Sequence, residues 1–104
     1  MLIVTTNEVP NRRIIQVKGL VQGSTVQSKH IGRDFGASLK TLIGGEIRGY
    51  SELMKESRDI ALKRMIVEAE DVGANAIIGM RYQTSQIMDT AAEVIAYGTA
   101  VILD

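Results

Sequence analysis

The sequence predicts a single α+β domain in which an antiparallel sheet carries its helices on one face. Three observations predict it: the length, the apolar periodicity, and the order in which two periodicities occur. At 104 residues the chain forms one domain, 1–104, too short for a two-domain enzyme. Period-two stretches occupy both ends and helical spacing occupies the middle, giving the order β-β-α-α-β-β. Strands flanking a helical centre make a two-layer α+β fold.

Met1 to Thr6 alternates β-prone residues and predicts a short first strand. Turn chemistry follows at Asn7-Glu8-Val9-Pro10-Asn11. Ile14, Ile15, Val17, Leu20 and Val21, interleaved with Gln16, Lys18 and Gln22, predict a longer second strand that Thr25-Val26 extends. Gly19 and Gly23 lie inside it, where glycine marks a bulge, a bend or a close backbone approach.

The period then changes. Ile31, Phe35, Leu39 and Leu42/Ile43 predict a first helix, with Gly32, Gly36 and Ala37 making one side nearly bare and Gly44-Gly45 ending it. A second, longer helix is predicted from an N-cap at Ser51 to Val72. Its buried stripe is Leu53/Met54, Ser57, Ala61, Met65, Ala69 and Val72; Lys55, Asp59 and Lys63 stack on the outer face. Gly73 stands at the C-cap. Asn75–Tyr82 and Glu93–Leu103 alternate as two further strands, with the polar Gln83–Thr90 stretch between them. The last strand is apolar on both faces, which predicts a central position.

Composition removes several function classes. Twelve basic and twelve acidic residues cancel, so no general attraction draws nucleic acid or an anionic membrane to the domain. No apolar run has the length of a membrane span, and Met1 to Thr6 lacks the charge and apolar run of a signal peptide; the expected compartment is the cytoplasm. There is no cysteine and only one histidine, which excludes thiolate catalysis, Cys-type zinc sites and cysteinyl iron–sulfur clusters. The core is poor in aromatics, with no Trp, one Phe and three Tyr. Two helices on one face leave the other sheet face open, and a second copy of the chain is its simplest cover. A homo-oligomer is expected.

Gly44-Gly45, Tyr50 with Leu53, Arg58-Asp59-Ile60-Ala61, Gly73-Ala74-Asn75-Ala76-Ile77-Ile78-Gly79, and Glu93-Val94 through Tyr97-Gly98-Thr99-Ala100-Val101 together resemble the YbjQ-like family of small bacterial proteins. That family carries a heavy-metal-binding label and no established reaction. The resemblance implies a dodecin-subunit-like fold assembling into a ring-shaped homopentamer. It also implies architectural, inter-subunit roles for residues of the matching segments: Arg58, Asp59, Tyr50, Asn75 and Glu93.

The metal label finds little support in the residues. Soft metals prefer thiolate, thioether and imidazole, and Met54 and Met65 fall on the buried helix stripe as core residues. His30 and Asp34, four apart, read either as half of a metal site or a carboxylate-oriented base, or as a solvated His beside a helix-capping Asp; the solvated reading is preferred. Glu68, Glu70 and Asp71 crowd a helix C-terminus; simple solvation is the preferred account, and Arg64, a cation or a neighbour's basic patch are the alternatives that would compensate them. His30, Asp34, Glu68 and Asp71 are thus the metal candidates if one assembles in the oligomer. Arg58 and Asp59 read as an architectural ion pair in preference to an anion site. No Ser–His–Asp relay and no phosphate loop is present; Gly73-Ala74-Asn75 has the helix-then-strand order opposite to one. The expected function is a non-enzymatic, ring-forming module binding a small ligand or a partner at subunit junctions. The alternatives are a metal site assembled in the oligomer, or an inter-subunit active site around Arg58, Asp59 or His30. The residues leave the cofactor, and any residues that bind one, unknown.

Overall fold

A computed structural model describes residues 1–28, 46–88 and 91–104. Its elements are β1 (Leu2–Ile3), β2 (Ile14–Ser28), α1 (Glu46–Asp71), β3 (Ala76–Met88) and β4 (Ala91–Leu103). The expected first helix, with His30, Asp34 and Gly44-Gly45, lies outside the described residues. The sheet has the order β1-β3-β4-β2, so β4 is internal, as its two apolar faces require. β4 pairs antiparallel with both β2 and β3.

The sheet is mixed rather than antiparallel. Leu2 and Ile3 pair parallel with Ala76 and Ile77. The first strand is also shorter than expected. After Ile3 the chain stays beside β3, with the Val4 N–H donating to the Ile77 carbonyl at 2.9 Å and the Gly79 N–H donating to the Thr6 carbonyl at 2.8 Å. It then returns to start β2 beside the end of β4, where Ile14 faces Leu103. This segment carries Val4 and Val9 onto Ala76, Ile78, Val101 and Leu103, a small core on the face away from α1. The face expected to need a partner is therefore covered at one end by the chain's own N-terminus.

The main core lies between α1 and the sheet. Ser57, Ala61, Met65 and Ala69 are wholly buried at helical spacing, packed with Val21, Ile77, Met80, Val94, Ala96 and Ala100. Val72, expected on this stripe, is 41% exposed beyond the last turn. α1 starts at Glu46, not after Ser51, which is an exposed residue inside the helix. A serine signals a cap only where the preceding residues leave the helix, and Glu46 to Tyr50 do not. The C-terminus is as expected. Gly73 has φ 80°, its N–H donates to Glu70 and the Ala74 N–H donates to Ala69, which closes the two reverse bonds of a Schellman cap.

Gly19 and Gly23 serve different ends. Gly19 has φ 112° where β2 shifts register against β4. Gly23 lies under the helix: a Cβ there would overlap the Met65 N–H and Ala61 carbonyl, and approach the Arg64 carbonyl carbon to 2.7 Å. A bare strand position lets the helix backbone rest directly on β2.

The last strands are longer than their apolar pattern. β3 runs to Met88 and β4 starts at Ala91, so most of the polar Gln83–Thr90 stretch is strand. All eight β3 residues from Arg81 to Met88 are exposed. With both sides wet, no apolar alternation marks them as strand. This arm gives the molecule extents of 54 × 22 × 17 Å and a radius of gyration of 16.8 Å, against about 13 Å for a compact chain of this size. Among the described residues no helix is long and apolar enough to cross a membrane.

Candidate functional site

Four of the polar residues singled out by sequence, Arg58, Asp59, Glu68 and Asp71, lie along α1 from its middle to its C-terminus. Arg58 and Asp59 are exposed on α1, with Lys55 and Lys63 on the same outer surface. Among the described residues neither forms an ion pair, and the one ion pair there is Arg13–Asp104, 3.0 Å and solvent-exposed. Their near neighbour is Tyr82, which faces the helix side of β3 opposite Ala96. Burial pushes the Tyr82 phenol above its ordinary value, Asp59 adds to the rise and Arg58 opposes it. Tyr82 thus reports both charges. Tyr50 lies on α1 with its side chain outside the described atoms.

One turn further on, two side chains of α1 reach the open edge of β2. The Arg64 Nη1 donates to the Ser24 carbonyl at 2.7 Å, and the Glu68 Oε1 accepts from the Gln22 N–H at 3.2 Å. They satisfy backbone groups that a sheet edge otherwise presents to solvent. Glu68, a metal candidate by sequence, is occupied as an edge cap, while Asp71 is exposed at the end of α1. Among the described residues no three His, Cys, Asp or Glu side chains converge as a metal site would need.

Asn75 and Glu93 sit apart from this surface. The Asn75 Nδ2 donates to the Leu103 carbonyl at 3.0 Å, and its Oδ1 accepts from the Leu103 N–H at 2.8 Å. Both of these bonds lie within the chain. Glu93 is half-buried on the face away from α1, between Val26 and Ser85. The structure therefore brings Arg58, Asp59 and Tyr82 together and leaves Asn75 and Glu93 elsewhere.

Resemblance to other proteins decides the kinship of the chain. A family model described as "putative heavy-metal-binding", YbjQ, matches residues 1–104. The chain belongs to the YbjQ family. Similar members include the UPF0145 protein of Thermotoga maritima, 56% identical over 104 residues, covering 100% of this chain and 98% of the relative. The UPF0145 protein of Halalkalibacterium halodurans is 60% identical over 101 residues, covering 97% and 95%. In fold, this YbjQ chain is similar to a Pediococcus pentosaceus protein of unknown function from the DUF74 family, with TM-score 0.67, 18% identity, and coverage of 100% and 98%.

Sequence reasoning named Arg64 only as a charge that could compensate its acidic neighbours, and gave Tyr82 and Arg81 no role. Simple alternation puts Tyr82 with Ala76, Ile78 and Met80, and Arg81 on the other face. A bulge reverses this: Ile78 faces Thr99 but Arg81 faces Tyr97, so the intervening residues absorb a shift. Gly79, with φ 60°, is the signal.

Proposed function

We propose that this protein is a non-enzymatic, homo-oligomeric binding module whose sites form at subunit junctions, with a dodecin-like subunit in a five-membered ring. The observation that carries the reading is the uncovered arm. Tyr82, Ile87 and Met88 are 40%, 52% and 61% exposed there, and Val26 on the neighbouring end of β2 is 50% exposed. Val17 and Leu20 add 62% and 69% exposure on β2. Covering such side chains gains roughly 25 cal/mol per Å² of apolar area, and pairing removes the exposed edge of β3. The five-fold ring comes from the family resemblance. Arg58 and Asp59 are the junction ion pair in this reading, each partnered across the interface. A single histidine and no cysteine remove thiolate chemistry and leave any acid–base or nucleophilic work to carboxylate, amine, phenol and hydroxyl groups.

The second reading is a metal site assembled between subunits, and the family's description favours it. Native mass spectrometry of the protein purified from cells tests both. A homo-oligomer retaining an organic ligand supports the module, and one retaining a stoichiometric heavy metal supports the second reading. A monomer at micromolar concentration overturns both.

A further inference from the structure

We infer that the cleft between the N-terminal turn and β3 recognises a small zwitterion, a molecule of the α-amino-acid class. The cleft holds about 560 Å³ and is lined by Thr5, Thr6, Asn7, Glu8, Pro10 and Arg81, a volume within the usual range for small-molecule sites. It is built within one chain, so it goes beyond the assembly reading and stands without it.

The β3 bulge makes the site. In unbroken register, the pairing of Ile78 with Thr99 would set Arg81 opposite Ala96, which is wholly buried on the helix side. The extra residue sets it opposite Tyr97 instead, on the face that the N-terminal segment crosses. Gly79 supplies the positive φ this needs, and Asn7 Oδ1 lies over it, 3.4 Å from where a Cβ would stand. The turn is held by the Gly79 N–H on the Thr6 carbonyl, by the Met80 N–H on the Val4 carbonyl at 3.1 Å, and by the Thr6 hydroxyl donating to the Glu8 carbonyl at 2.7 Å.

Arg81 is fixed before any ligand arrives. Its Nη1 donates to the Thr5 carbonyl at 2.9 Å and the Met80 carbonyl at 2.8 Å. Its Nε and Nη2 have no hydrogen-bond partner among the described residues. Together they form the side-on fork that takes a carboxylate with two parallel hydrogen bonds. The other charge lining the cleft is Glu8, whose carboxylate suits an ammonium group. One cation and one anion in a single small cleft select a molecule carrying both signs over a simple anion, which Glu8 repels. The Thr5 hydroxyl and the Asn7 amide add neutral hydrogen-bonding capacity.

Titration of the backbone amide NMR shifts with glycine and L-glutamate, alongside acetate, methylammonium and inorganic phosphate, tests the site. The expected result is binding of the amino acids with Kd of about 1 mM or tighter, and at least about ten-fold weaker binding of the single-charge probes. Arg81→Gln and Glu8→Gln should each weaken it about ten-fold or more, and Arg13→Gln should not. Because Arg81 also ties down the turn, Glu8→Gln, which removes no side-chain hydrogen bond seen in the fold, is the variant that separates binding from folding. No shift change with either amino acid, phosphate binding in their place, or unchanged affinity in Glu8→Gln overturns the inference.

Discussion

Asn75 stands opposite Leu103 as though it were a strand residue, its side-chain amide donating to the Leu103 carbonyl and accepting from the Leu103 N–H. Its own backbone N–H donates to the Val101 carbonyl at 3.1 Å. The side chain thus continues the β3–β4 ladder past the first residue of β3, across the junction left by the Gly73 cap. Asn75→Ala removes both side-chain bonds and is expected to cost about 1–3 kcal/mol. For a domain of this size that lowers the melting temperature by roughly 4–8 °C per kcal/mol. A calorimetric melt of the variant beside the wild type checks it.

Gly23 is the point where α1 touches the sheet backbone. Gly23→Ala puts a methyl into the Ala61–Met65 helix backbone, which has no side chain to move aside. The helix must lift, and the expected loss is about 1–3 kcal/mol or more. Gly19→Ala is the comparison: nothing lies within 4 Å of its Cβ, and its cost comes from φ 112° alone. Urea unfolding of the two variants should show Gly23→Ala with the lower midpoint, and a shifted helix signal in that variant alone.

Much of this architecture is legible in the sequence. Helical spacing marks Ser57, Ala61, Met65 and Ala69 as the buried stripe, glycine in a strand marks Gly19 and Gly23, and Gly73 marks the helix end. What escapes reading is whatever lacks an inside and an outside. The Arg81–Met88 arm is exposed throughout, so no periodicity records it. The parallel pairing of β1 rests on two residues, too few to carry a pattern. The β3 bulge exchanges faces after Ile78, and that shift moves Arg81 and Tyr82 out of their expected places. The edge contacts of Arg64 and Glu68 depend on how the helix lies over β2, which local pattern does not encode.

That edge contact has its own consequence. Arg64→Ala with Glu68→Ala leaves the Ser24 carbonyl and Gln22 N–H open on β2. These are exposed contacts, so the stability loss is expected to be small, about 0–1 kcal/mol. The larger effect is on association, because an uncapped edge is a template for another strand. Light scattering during prolonged incubation should rise faster for the double variant than for Lys55→Ala.

Tyr82 reads the charges beside it. Its folded-state value lies above the ordinary 10.0, so the fold favours the neutral phenol. This contribution is complete below pH 10 and is lost as pH rises through the folded value, because the unfolded chain releases its proton first. In an ultraviolet titration, the phenolate step removed by Tyr82→Phe should lie above the ordinary tyrosine range. Asp59→Asn should bring it down part of the way, since burial is the larger cause, and Arg58→Gln should raise it further.

The central claim is that the exposed arm is one half of an interface between copies of this chain. Sedimentation equilibrium at micromolar concentration tests it most directly, with wild type beside Ile87→Asp/Met88→Asp and Arg58→Ala. The account predicts a wild-type oligomer, five copies of the 11.3 kDa chain, with both variants shifted toward smaller species. A wild-type protein that sediments as a monomer contradicts it.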